Sequence, residues 1–509
     1  MPPTPTGHTR TTTERTTPER TDLRTGEPHA APAAGGPPGR FGASGASGPQ
    51  LAHALKRRHL SMIALGGVIG AGLFVGSGAG IAAAGPSIVV AFALSGLLVM
   101  LVMRMLGEMS AARPDSGSFS VHAEREIGPW AGLTAGWMYW AMLTLGVAAE
   151  ATAAGKIMHG WVPALPAWSW VAVFMAFFCF TNCTAVKNFG EFEFWFAAVK
   201  ILAISAFLVV GVLAICGVIG DPPGASHLTG DGGFLPHGVS GLVSGLLASV
   251  FAYGGLETVT IASAESDDPV RNTASAVRTA MWRIALFYVG SMAVIVTLVP
   301  WSDPRVAANG PYVAVLEHLR IPAAGQVMNA VVLIALLSAV NANVYGASRM
   351  GFSLVRRGQG PRALARVSGG VPRLAVIASC GFGFLAVVAG VLWPTTVFTW
   401  LMNMVGAAVL VVWAFIAVAQ LRMRRRLDRE APERLVVRMW AFPWLTWLAL
   451  AGVAAVLALM TLHADTRTQL YFTGGLTAVL AATGAVVQRR RGGGGGGRGA
   501  SLSGGGGEA

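Results

Sequence analysis

Charge is scarce in this sequence: Asp, Glu, Lys and Arg make up 12% of its 509 residues, about half the share carried by a soluble chain. That deficit excludes an ordinary soluble globular protein, and the 53% of residues that are hydrophobic make lipid the main solvent. Cysteine is scarce too. Cys179, Cys183, Cys216 and Cys380 sit in or beside apolar segments, with no metal spacing beyond a bare C-x-x-x-C. No extracellular disulfide framework is visible, so all four read as reduced and structural. The N-terminus lacks the apolar core of a signal peptide, and nothing there reads as cleaved. Nucleophile–base pairs and metal constellations are missing, which argues against an enzyme; no cofactor, metal site or catalytic residue is expected.

What the sequence has in abundance is long apolar runs. Segments long enough to cross a bilayer, roughly 20 residues each, fall at 59–83, 86–111, 129–158, 167–186, 192–219, 238–264, 281–300, 323–350, 373–392, 395–420, 441–462 and 468–488. They predict an all-α integral membrane protein with about twelve transmembrane helices. The formal charge of +13 would suit nucleic acid, but the basic residues gather in loops and tails, as at cytoplasmic membrane flanks. No nucleic-acid partner is implied. Lys56-Arg57-Arg58 precedes the first run, Arg113 and Arg125 follow the second, and Lys187 follows the fourth. Arg271 and Arg278 follow the sixth, Arg356, Arg357, Arg362 and Arg366 the eighth, and a dense group from Arg422 to Arg438 the tenth. The opposite loops, such as Gly160-Trp161-Val162-Pro163 and Asp221-Pro222-Pro223-Gly224, carry almost no charge of this sign; Arg305, Arg320 and Arg467 are the main exceptions. Positive-inside bias places both termini in the cytoplasm of a multi-pass cell-membrane protein. Residues 1–50, rich in Thr, Pro, Gly, Ala and Arg, and 489–509, Arg followed by Gly-Ser repeats, read as disordered tails around a transporter domain at 51–488.

Two of the runs are interrupted. Gly66-Gly67-Val68-Ile69-Gly70-Ala71-Gly72 puts four glycines into the first, where each would weaken a helix in water by roughly 1 kcal/mol relative to alanine. Phe251-Ala252-Tyr253-Gly254-Gly255-Leu256-Glu257 does the same in the sixth and adds a carboxylate. In lipid an opened backbone is tolerated only where protein buries it or where it lines a cavity. Each cluster also suits a close helix crossing. Runs one and six are each first in a set of five, and interruptions at matching positions of two halves point to a transporter built from inverted repeats. The repeats fall at about 59–219 and 238–420, with two trailing helices at 441–488. A half-helix starting near Gly70–Gly72 offers N–H groups and a positive dipole end to a carboxylate. Unwound carbonyls around Phe251–Tyr253 suit an ammonium group. A site with both takes a zwitterion, an amino acid or an ω-amino acid. Candidate binding residues are Val68, Ile69, Gly70, Ala71 and Gly72 with Phe251, Ala252, Tyr253 and Gly254.

Ionisable residues within spans are functional candidates by default. Lys200 lies two turns into the fifth run, where a buried amine can exchange a proton during a cycle; snorkelling to the surface is the alternative. Glu257 orients the second break, meets a substrate amine or carries a proton. Glu108 reads as an interfacial partner of Arg104 or Arg113. Glu150 lines an outer cavity or faces extracellular water. Asn341 and Asn343 either join helices or line the pathway.

In order along the chain come 58–74, Met103-Arg104-Met105-Leu106-Gly107-Glu108-Met109, Gly117-Ser118-Phe119-Ser120, 189–197 and Ser348-Arg349-Met350. Together they resemble the amino acid–polyamine–organocation superfamily, and within it the bacterial amino acid transporter family of permeases. Segments 259–269, Trp282-Arg283-Ile284, 419–424 and 438–447 look most like its γ-aminobutyrate (GABA) permeases. The usual Leu-Asn-Ser of the eighth span stands here as Val340-Asn341-Ala342. The resemblance implies a five-plus-five inverted-repeat fold with discontinuous helices 1 and 6, and proton-coupled uptake of GABA or a similar small zwitterion. Its partners would be that amino acid, protons and the bilayer. It also puts Lys200 where proton-coupled relatives place an amine at the sodium site of sodium-coupled ones. Lys200 and Glu257 are thus the candidates for proton coupling. A permease or exchanger for another neutral or aromatic amino acid is the alternative; a transport-inactive sensor is disfavoured by tails that hold no output module.

Overall fold

In a computed structural model the described residues of the chain are mostly helical. The structure describes residue 62 and residues 69–493, apart from 114, 116–117, 185, 221, 259–274, 276–278, 280, 369 and 463. The N-terminal tail, the first span before Ile69, the sixth beyond Thr258 and most of the C-terminal tail lie outside the described residues.

The π turn Gly72–Gly76 leads into α1 (Ser77–Ala84), and a 3-10 turn at Gly85–Ser87 leads into α2 (Ile88–Ala112). Then come α3 (Ser118–Glu126), α4 (Pro129–Trp161), α5 (Ala167–Thr184), α6 (Val186–Ile215) and α7 (Gly238–Tyr253). A second π turn, Ile284–Val289, precedes α8 (Gly290–Leu298). Beyond α9 (Pro304–Ala308) and α10 (Pro311–His318) lie α11 (Ala324–Arg356), α12 (Arg373–Leu392), α13 (Val397–Glu430), α14 (Trp444–Leu462) and α15 (Ala464–Gly493). Nine stretches among the described residues are long and apolar enough to cross a membrane. One of them, Gly72–Ala112, is two spans joined at Gly85–Ser87. With α4 and the shorter apolar helix Gly238–Tyr253 the spans among the described residues number twelve. The last helix runs to Gly493, into the stretch read as tail.

Side-chain neighbours give the directions of the helices. Along α7, Gly241 meets Ala83 and Ala252 meets Gly72, so α1 runs backward against it. In the same order Gly245 meets Ile88 and Tyr253 meets Gly96, so α2 runs forward. Spans one and six are therefore antiparallel. Spans three and eight repeat the relation: Gly136 on α4 meets Leu354 on α11, and Gly146 meets Asn343. Corresponding spans that pack head to tail are the geometry of inverted repeats. The glycines and alanines at these crossings let backbones approach closely, which is what holds helices together where lipid offers no hydrophobic drive.

The arginine-rich end is closed by ion pairs centred on α3 and α13. Glu124 binds Arg357 at 2.5 Å, and Glu126 binds Arg426. Glu108 is fully buried and accepts from Arg424 at 2.6 Å, Gln420 at 2.8 Å and the Met439 N–H at 3.0 Å. Its ion-pair partner is thus neither Arg104 nor Arg113. Arg104 donates instead to the Arg438 carbonyl and covers the Trp440 ring. A carboxylate taken wholly out of water needs several donors at once; α13 supplies two of them and the segment after it the third. Asn341 accepts from Asn182 at 2.9 Å, joining α11 to α5. All four cysteines are free.

Candidate functional site

Both interruptions open the backbone. At the first, Ile69 and Gly70 are non-helical, and Ala71 caps the π turn that follows with no side-chain hydrogen bond of its own. The first N–H groups of a helix have no partner within it. Here the Ala71 N–H donates to Glu150 Oε2 at 2.8 Å. Gly70 packs so close to the same carboxylate that any side chain would collide with it.

At the second, α7 stops at Tyr253. Gly254 leaves helical geometry at ψ 139°, and Gly255 sits at φ +94°, a backbone that glycine adopts without steric cost. Glu257 braces this loop. Its Oε2 accepts the Gly255 N–H at 3.1 Å, and its Oε1 accepts the indole N–H of Trp413, which is fully buried on α13.

The two breaks touch. A Cβ on Gly72 would stand 3.0 Å from the Ala252 N and Cβ atoms. The glycines of the first cluster therefore divide their work: Gly70 makes room for a carboxylate, and Gly72 makes room for the partner helix. The amide-bearing start of one half-helix and the carbonyl-bearing end of another meet at the same place. Ile69, Ala71, Phe251 and Ala252 give it a buried, mostly apolar surround. Phe251 lies edge-on to Phe398, ring centres 6.4 Å apart. Tyr253 faces away: its hydroxyl donates to the Phe92 carbonyl at 2.9 Å and its ring lies against Tyr288. Only its backbone is left to the break. Val68 lies outside the described residues.

Lys200 is fully buried on α6 and does not snorkel. Its amine donates to Ser338 Oγ at 2.8 Å, and that hydroxyl donates to Glu193 at 2.8 Å, with the amine and Glu193 3.6 Å apart. Burying an isolated ion costs several kcal/mol, roughly, and only a well-bonded partner offsets it; Glu193 is that partner. Lys200 and Glu150 are also within electrostatic range of each other. Sequence reasoning missed Glu193, and of its two readings of Glu150 the one that faces extracellular water does not hold, since Glu150 is buried. Seven residues separate Glu193 from Lys200, two turns on one helical face, and that spacing was a usable signal. Glu150 stands among alanines at mid-span, where a carboxylate exposed to water was not the only reading. A cavity of about 610 Å³ lined by Thr395, Thr399, Asn403 and Gln469, among others, includes neither break.

The family model described as amino acid permease matches residues 59–490. The chain is 45% identical over 429 residues to the gamma-aminobutyric acid permease of Bacillus subtilis (strain 168), covering 84% of this chain and 91% of that one. It is 43% identical over 437 residues to the gamma-aminobutyric acid permease of Escherichia coli (strain K12), covering 85% and 94%. The aromatic amino acid transport protein AroP of Corynebacterium glutamicum is 45% identical over 427 residues, covering 83% and 92%. Among solved structures, variants of a manganese transporter from Eremococcus coleocola match with a TM-score of 0.56 at 13% identity, over 86% of this chain and 95% of that one. At that identity the likeness extends to the fold alone.

Proposed function

The chain belongs to the amino acid permease family, and from that premise we propose that it imports GABA, or a similarly small zwitterionic amino acid, across the cytoplasmic membrane on the proton gradient. Both termini lie in the cytoplasm in this reading. The observation that carries it is the contact of Gly72 with Ala252, which sets a row of helix-start amides beside a row of helix-end carbonyls. A zwitterion has one charge for each. The N–H groups of Gly70 to Gly72 hold the carboxylate, and the carbonyls of Phe251 to Gly254 hold the amine. A hydrogen bond to a charged group contributes about 1.5–3 kcal/mol, so two or three suffice for a transportable affinity. Lys200 and Glu257 are the candidates for the proton. Lys200 acts as one unit with Ser338 and Glu193, since a proton leaving the amine is felt by both. Glu257 acts through the loop it braces.

The aromatic transporter of Corynebacterium glutamicum is as similar as the Bacillus permease, and this supports a second reading, an aromatic amino acid as cargo. The two gamma-aminobutyric acid permeases among the similar proteins, those of Bacillus subtilis and Escherichia coli, support the smaller substrate. Uptake of labelled GABA, alanine, proline and phenylalanine into proteoliposomes with an imposed proton gradient separates the two. GABA accumulation that collapses with the gradient is expected. Accumulation of phenylalanine without GABA would overturn the substrate assignment, and full gradient-driven accumulation by Lys200→Ala would overturn the coupling role.

A further inference from the structure

We propose that Glu150 is a resident competitor for the substrate's carboxylate, occupying the subsite that the proposed function gives to that group, so that substrate binds only as Glu150 lets go. The inference rests on the carboxylate half of that reading. An amide N–H makes one good hydrogen bond, and the Ala71 N–H makes it with Glu150 at 2.8 Å. Gly70 lies against the same carboxylate with no Cβ between them, so the site is shaped to accept a carboxylate there. Glu150 reaches it from α4, 79 residues away in sequence. The cation within its electrostatic range, Lys200, donates to Ser338 at 2.8 Å and has Glu193 as its ion-pair partner at 3.6 Å. Glu150 is thus held by the Ala71 N–H, the middle one of the three amides that the proposed function gives to an incoming carboxylate. Two carboxylates at one N–H repel each other, so the second arrives as the first leaves. The device makes an unoccupied site self-satisfied and discriminates against ligands that cannot offer a carboxylate in exchange.

The rival role for Glu150 is an anchor for the substrate's amine, and the two roles predict opposite effects. The full-length protein is purified in detergent and binding of labelled GABA is measured, with butyrate and butylamine as unlabelled competitors. Glu150→Gln replaces a charge-assisted hydrogen bond by a weaker neutral one, so GABA binding tightens about tenfold. Butyrate gains as a competitor and butylamine does not. Glu150→Ala, which empties the amide entirely, shifts in the same direction. Weaker binding of GABA and butylamine by the variants overturns the proposal in favour of an amine anchor. Unchanged affinities overturn it outright. Should neither variant fold, infrared difference spectra of the unaltered protein decide: GABA and butyrate shift a protein carboxylate band and butylamine does not, whereas equal spectra with all three ligands overturn the proposal. Failure of the underlying reading looks different. There, the unaltered protein binds butylamine as well as GABA and ignores butyrate. If phenylalanine proves to be the cargo, phenylpropionate and phenethylamine take the places of the two competitors.

Discussion

Replacing Glu193 by Gln keeps the shape of the buried Lys200–Ser338–Glu193 cluster and removes its negative end. The amine and carboxylate are 3.6 Å apart and both fully buried. At an effective dielectric constant of about 20 their attraction is about 4–5 kcal/mol. Removing one partner of such a pair costs about 3–5 kcal/mol, because the other charge is left without compensation. Lys200→Met removes the other end at similar volume and carries a similar cost. The double variant has no charge to strand, so it recovers most of the loss, and the coupling in the double-mutant cycle amounts to at least about 2 kcal/mol. Membrane proteins of this size unfold irreversibly, so the assay is the rate of thermal inactivation of the purified protein at a fixed temperature, read as loss of substrate binding. Each single variant inactivates about tenfold faster or more, and the double variant moves back toward the parent. If the double variant inactivates as fast as the two single effects added together, the charges are independent, and Lys200 and Glu193 are not the coupled unit proposed for the proton.

Gly72→Ala forces a Cβ against Ala252, an overpacking that costs about 1–3 kcal/mol; faster thermal inactivation and slower uptake are expected, and a fully active, equally stable variant would mean that the two breaks do not need their contact. Trp413→Phe withdraws the indole N–H from Glu257 and costs about 1.5–3 kcal/mol, read by the same inactivation assay, with no loss expected only if the carboxylate is already satisfied without it. On α3, outside the spans, burial pushes the His122 imidazole down to about 4 from an ordinary 6.5. The unfolded chain binds that proton more readily, so the stability His122 confers is complete above about pH 6.5 and is lost as pH falls toward 4, on the order of 3 kcal/mol in all. The rate of thermal inactivation should therefore rise less between pH 7 and 4 in His122→Asn than in the parent, and parallel pH profiles for the two proteins would refute the assignment.

Much of the architecture was legible from residue order alone. Span lengths, the alternation of arginine-rich and arginine-poor loops, and the two glycine clusters are local properties, and lipid acts on each segment separately. A bilayer penalises charge and open backbone wherever they occur in the chain, so the breaks at Gly70–Gly72 and Gly254–Glu257 stand out without knowledge of any neighbour. Packing decided which groups serve them. Glu150 reaches Ala71 across 79 residues, Ser338 reaches Glu193 across 145, and Trp413 reaches Glu257 across 156. Glu108 shows the limit most plainly: Arg104 lies one helical turn away in sequence, yet Arg424 on another helix takes the carboxylate. A buried charge is satisfied by whichever donor the facing helix brings to it, and that depends on crossing angle and rotation, which hydropathy does not encode. The sequence thus determined where the helices break, and the tertiary structure alone decided that one break meets a carboxylate and the other an indole.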